Sequence, residues 1–186
     1  MPLVDNNRCR LLVVDMQEKL LPAMDQPESL VRNSGIVLQA AITVGIPTLI
    51  SEQYPEGLGP SIGPILSLAP DAPRLAKTTF SCWRDPHMRE WLDVKSADQI
   101  VLIGVEAHVC VLQTAMDLQA AGFEVFVVAD AVSSRKTSSV QTALSRLAAS
   151  RLAGPSISIV TAEMVVFEWM RTAASPHFKV LSKLIR

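Results

Sequence analysis

Only three cysteines occur in the 186 residues, Cys9, Cys82 and Cys110, and they lie too far apart to form a C-x-x-C pair. They cannot all be bridged, which gives a disulfide framework little footing. Free thiols in a reducing, cytoplasmic setting are expected instead. The opening stretch MPLVDNNRCR has neither the long apolar core of a secretory signal nor an Arg/Ser-rich transit pattern. No apolar run approaches the roughly 20 residues a membrane span requires, so no membrane partner is expected. A basic block is missing too: 17 Lys and Arg stand against 18 Asp and Glu, for a net charge of −1. Nucleic acid binding through phosphates needs a concentrated basic footprint, and none is expected here. The three histidines, His87, His108 and His177, have no spacing that matches a metal site. There is no internal repeat, low-complexity tract or charged linker. With 49% hydrophobic and 19% charged residues, residues 1–186 are expected to form a single domain around a sizeable core.

What recurs is a short β-rich run followed by an amphipathic stretch. RLLVVD (10–15) is a nearly continuous apolar run, as in a strand covered on both faces. ESLVRNSGIVLQAAITVG (28–45) places Leu30, Val31, Ser34, Val37, Leu38 and Ala41 on one helical face and stops at Gly45. IPTLIS (46–51) predicts a second strand and RLAKTTF (74–80) a short third one. Between them a Pro/Gly-rich segment (54–73) exceeds the usual connection length. DPHMREWLD (85–93) opens with Asp before Pro, a good helix start. Further strands are predicted at QIVLIGV (99–105), EVFVVAD (124–130) and SISIV (156–160). Helices are predicted over about 108–121 and over 134–150, the latter with Val140, Leu144, Leu147 and Ala148 inward, and the C-terminus reads as helical. This alternation predicts an α/β fold with a mostly parallel sheet and helices on both faces. In such sheets ligands sit beyond the carboxyl ends of strands, where the strand order reverses.

Three residues suit that position. Asp15 ends the first apolar strand without an Arg beside it, Lys77 sits among apolar and β-branched residues, and Cys110 follows the fourth strand at the start of a helix. A thiol is mostly protonated near neutrality, with an ordinary pKa of about 8.5. A helix N-terminus and an ammonium both favour the thiolate, and a carboxylate can collect the proton. The bland alternatives are a turn aspartate, a snorkelling edge lysine and an inert core thiol.

LLVVDMQEKL, AKTTFSCW and VLIGVEAHVCVLQTAMDLQAAGFEVFVVADAVSSR together resemble the isochorismatase-like cysteine hydrolases, a family that includes nicotinamidases and N-carbamoylsarcosine amidohydrolases. The resemblance runs over residues 10–161, and SEQYPEGLGP is most similar to the isochorismatase-domain-containing branch. It implies a three-layer αβα Rossmann-like domain with six parallel strands in the order 3-2-1-4-5-6. It makes Cys110 the nucleophile, Asp15 the general base and acid, and Lys77 the cation between them. It also implies a non-proline cis peptide at Val105–Glu106 and an oxyanion hole from the backbone N–H groups of Glu106 and Cys110. One such donor is worth about 2.7–4 kcal/mol. Nicotinamidases hold a metal through an Asp-x-His pair after strand two, where this chain reads LISEQYPEG; no metal and no cofactor are therefore expected. True isochorismatases lack the nucleophilic cysteine, so the vinyl-ether reaction is not expected either.

The implied activity is hydrolysis of a small amide or carbamoyl C–N bond through a thioester. Leu20, Leu21, Tyr54, Phe80 and Trp83 flank the motifs and are the candidate substrate-pocket walls. A homo-oligomer is expected from the family, with the C-terminal MVVFEWM and FKVLSKLI either at the interface or packed on the chain's own sheet. A catalytically weak member acting as an oligomeric binding or regulatory protein is the alternative, because a fold does not dictate function.

Overall fold

The computed structural model describes residues 2–94, 97–150 and 155–185. Six strands form one parallel sheet: β1 (Cys9–Val14), β2 (Thr48–Gln53), β3 (Arg74–Lys77), β4 (Gln99–Val105), β5 (Glu124–Ser133) and β6 (Ile157–Val160). Their order is β3-β2-β1-β4-β5-β6, so β1 and β4 are neighbours at the reversal point. Successive side chains of a strand point to opposite faces. Both faces are apolar here, which explains the unbroken runs of β1 and β4. Leu11, Val13, Val101, Ile103, Phe126 and Val128 face one layer; Leu12, Val14, Ile100, Leu102, Val125 and Val127 face the other.

The first layer holds α1 (Pro27–Val44), then, after the short α2 (Pro55–Leu58), which buries no residue, α3 (Gly63–Leu68) in the long connection, and, later in the chain, the C-terminal helices α7 (Ala162–Met170) and α8 (Phe178–Leu181). Ile65 of α3, Val165, Val166 and Trp169 of α7 and Leu181 of α8 are buried with the inward face of α1. The C-terminal helices thus pack on their own sheet, although Met164 and Phe167 remain exposed. On the opposite layer lie α4 (Pro86–Leu92), α5 (Leu112–Ala120) and α6 (Thr137–Ala148). They contribute Met88 and Leu92, Ala115 and Leu118, and Ala143 and Leu147 respectively. No helix among the described residues is long and apolar enough to cross a membrane.

Several boundaries follow from local chemistry. Gly45 caps α1 in the left-handed region at φ 80°, where glycine has no Cβ penalty. Asp85 accepts hydrogen bonds from the backbone N–H groups of His87 and Met88 at the start of α4. Two expectations need correction. β5 runs to Ser133 instead of stopping at Asp130, because a register shift against β4 between Leu102 and Gly104 extends its pairing. In α6 the buried alanine is Ala143, four residues before Leu147, and Ala148 is exposed.

Candidate active site

Asp15 immediately follows β1 and adopts φ 51°, a left-handed conformation that costs a non-glycine residue about 1–2 kcal/mol. Its surroundings fix it there. Its backbone N–H donates to Ser51 O at 3.1 Å, and its Oδ1 accepts from Ser51 Oγ at 2.7 Å. Its Oδ2 accepts from Lys77 Nζ, also at 2.7 Å. A neighbouring glycine makes room for this corner. Gly104 has φ 113°, and a Cβ built on it would lie 2.1 Å from Val14 O. Only glycine allows β4 to approach β1 this closely just before Asp15.

Lys77 is the last residue of β3 and pairs in register with Gln53 of β2. It is not the solvated edge lysine that its position on an outer strand suggests: the side chains of Lys77 and Asp15 are both 0% exposed. Lys77 Nζ donates a second bond to Gln53 Oε1 at 2.6 Å. Burial alone pulls the ammonium towards deprotonation, and Asp15, with Cys82 and Cys110 beyond it, more than reverses this, so the Lys77 pKa rises. The lysine stays charged at neutral pH.

Cys110 lies in a π-helical turn, Ala107–Val111, between β4 and α5. Single π turns inside helices are uncommon and concentrate at functional sites. The Val105–Glu106 peptide bond leading into the turn is cis. The Glu106 carbonyl accepts the N–H groups of Val109 at 3.0 Å and Val111 at 3.2 Å, neither being that of Cys110. Cys110 is 6% exposed. Its pKa is raised, first by burial and next by the negative Asp15, while Lys77 pulls the other way. The structure thus brings together the surroundings of Asp15, Lys77 and Cys110. The expectation of a thiol made acidic by the ammonium is corrected, because burial and the carboxylate outweigh the pull of Lys77.

Cys82 proves less remote than its sequence position suggests. It is fully buried, its backbone N–H donates to Thr114 Oγ1 at 2.9 Å, and burial pushes its pKa up to about 11 against the pull of Lys77. His108, two residues before Cys110, is engaged elsewhere: its Nδ1 meets Ser134 Oγ at 2.9 Å. It lines a cavity of about 300 Å³ together with Leu112, Ser138, Ser139, Thr142, Ala143 and Arg146. Glu106 carries an ion pair with Arg135 at 2.9 Å.

The five candidate pocket residues separate. Leu21 is buried in the α1-side core, and Leu20 packs against that same core. Trp83 meets Phe123 edge-on at 5.3 Å between ring centres. Tyr54 and Phe80 are more than half exposed, at 55% and 53%. In sequence they flank Gln53 and the Lys77–Thr79 stretch. Among the described residues no group of three or more His, Cys, Asp or Glu side chains could hold a metal ion.

Gln17, Ser51 and Gln53 complete the arrangement, and nothing in the sequence sets them apart beyond their closeness to Asp15 and to the end of β2. Gln17 follows Asp15 by two residues and is 0% exposed. Its amide reaches Gln53 and Gly59, which only the parallel pairing of β1 and β2 makes possible.

The isochorismatase domain model matches residues 9–157 of the chain. Isochorismatase domain-containing protein 2 of Danio rerio is 39% identical over 175 residues, covering 94% of this chain and 85% of that protein. Among solved structures, the MAR1 ribonuclease of Caenorhabditis elegans is similar with a TM-score of 0.89 and 34% identity, covering 99% of this chain and 92% of that one. The YcaC gene product of Escherichia coli, described as an octameric hydrolase of unknown specificity, has a TM-score of 0.89 at 25% identity, covering 98% and 89%.

Proposed function

Because the chain belongs to the isochorismatase family, we propose that it is a cysteine hydrolase that cleaves a small amide or carbamoyl C–N bond through a thioester on Cys110. The observation that carries this reading is the Lys77–Asp15 pair, closed at 2.7 Å with both side chains fully out of solvent, acting on the Cys110 thiol. A fold gains little from such a pair, since burying two charges costs about as much as their attraction returns. Its use is chemical.

In the proposed cycle Asp15 takes the Cys110 proton, and the thiolate attacks the carbonyl carbon of the substrate. The N–H groups of Glu106 and Cys110, beside the cis Val105–Glu106 bond, receive the oxyanion. Collapse of the tetrahedral intermediate breaks the C–N bond, and Asp15 gives its proton to the departing nitrogen. Water, losing a proton to Asp15, then attacks the thioester. The carboxylic acid leaves and Cys110 regains its proton. Lys77 remains protonated throughout and faces whichever anion is present. Tyr54 and Phe80, both exposed, are the entrance walls of this reading, while Leu21 belongs to the core.

Turnover of a panel of small amides, carbamoyl compounds and esters, with Cys110→Ala as control, tests the reading. Release of acid and amine by the native protein and none by the variant is expected. Undiminished turnover by a folded Cys110→Ala protein refutes it. An RNA oligonucleotide belongs in the panel because the C. elegans neighbour carries the name ribonuclease. RNA cleavage that survives Cys110→Ala would point to a different chemistry. The octameric YcaC gene product also supports a homo-oligomer, with the exposed Met164 and Phe167 of α7 as contact candidates. Light scattering reads this directly, and a monomer at micromolar concentration would remove it.

A further inference from the structure

We propose that Gln53, itself fixed by Gln17, is a positioning residue that holds the Lys77 ammonium towards Cys110 with a neutral acceptor. The inference rests on the reading above, in which Lys77 supports the thiolate. Lys77 Nζ has three N–H donors. One goes to Asp15 Oδ2 at 2.7 Å and one to Gln53 Oε1 at 2.6 Å. The third has no hydrogen-bond partner among the described residues, and it is the one left for a thiolate.

The Gln53 amide cannot be reversed. Its Nε2 donates to Thr78 O at 2.9 Å, which needs a donor, while an ammonium needs the oxygen. Its backbone is held as firmly. Gln17 Oε1 accepts from Gln53 N at 2.7 Å, and Gln17 Nε2 donates to Gln53 O at 3.0 Å and to Gly59 O at 2.6 Å. The base and the holder of the lysine are therefore tied through one buried side chain only two residues from Asp15.

The neutrality of Gln53 matters. A carboxylate there would compete with the sulfur for the same cation. An amide fixes the direction of the ammonium and leaves its charge uncommitted. Without any acceptor at position 53 the ammonium is free to turn fully onto Asp15, and the thiolate loses its counter-charge.

Alkylation of Cys110 by iodoacetamide at pH 7.5, followed by peptide mass spectrometry, reads the reactive thiolate without any knowledge of the substrate. Gln53→Met is expected to slow alkylation about tenfold, as expected when a nearby opposite charge is withdrawn by roughly one pKa unit. Lys77→Met should slow it at least as much. The double variant should be no slower than Lys77→Met alone, because Gln53 acts only through the lysine; a merely structural effect would add to it. If Gln53→Met does not fold, as judged by circular dichroism, Gln53→Glu keeps the test open, since it retains an acceptor and is expected to slow alkylation as well. A native rate in the folded Gln53 variants, or additive losses in the double variant, overturns the inference alone. A native rate in Lys77→Met overturns the proposed role of the lysine itself.

Discussion

Replacing Lys77 by Met removes the ammonium but keeps an unbranched side chain of similar length. The Asp15 carboxylate is then left in a fully buried position with the Ser51 hydroxyl, at 2.7 Å, as its remaining side-chain donor. Removing one partner of a buried ion pair leaves an uncompensated charge and costs about 3–5 kcal/mol. That is a large share of the roughly 5–15 kcal/mol by which a domain is stable. The double change Asp15→Asn with Lys77→Met takes both charges away, and the pair's desolvation cost goes with them. It should recover about 2 kcal/mol or more relative to the sum of the single changes. Urea unfolding at pH 7 measures all four proteins, with equal slopes required before midpoints are compared. A loss below about 1 kcal/mol for folded Lys77→Met, or strict additivity of the two changes, would show that the pair is not buried and coupled as described.

Gly104→Ala places a Cβ 2.1 Å from Val14 O at a φ of 113°, so it should cost about 3 kcal/mol or more and disturb the Asp15 corner; a melting temperature equal to that of the native protein refutes the close approach. Stability should fall as pH rises above about 9. An unfolded thiol loses its proton there, whereas burial pushes Cys82 up to about 11 and Cys9 up to about 12, so the folded chain keeps more protons than the unfolded one. Each thiol contributes about 1.4 kcal/mol per pH unit until its folded pKa is reached. Cys82→Ala should remove one thiol's share of the slope in urea midpoints between pH 9 and 11, and an unchanged slope would place Cys82 in solvent.

Strong periodicity made the frame readable from residues alone. The apolar runs of β1 and β4 have no polar face because the sheet is covered twice, and the face of α1 ends at Gly45 because the chain needs a left-handed residue there. The Asp-Pro start of α4 works as a cap. Asp15 and Lys77 stand at strand ends, where polar side chains break apolar runs, and that break is itself visible. Other features depend on contacts between distant parts of the chain. Nothing in DMQ signals that Asp15 will adopt φ 51°; its bonds to Ser51 and Lys77, from two other strands, decide it. Gln17 and Gln53 carry no period, and their partnership exists only after β1 and β2 align. The position of Cys110 after the fourth strand is legible in sequence, but its depth of burial and the influence of the Asp15 charge on its thiol are not.

That raised thiol pKa is compatible with the proposed chemistry once the destination of the proton is considered. Loss of the thiol proton to solvent would put a second anion near the buried Asp15 carboxylate. Transfer to Asp15 is different. Before it, Lys77 faces a carboxylate; after it, Lys77 faces a thiolate, and the buried site holds one anion and one cation in both states. Most of the desolvation cost therefore cancels between them, which leaves the proton affinities of the two groups and the aim of the ammonium to set the balance. In the proposed cycle the sulfur is ionised only by this internal step. The fixed direction of Lys77 then matters more than the depth of its charge, which is why a neutral, doubly anchored glutamine is the partner that suits it.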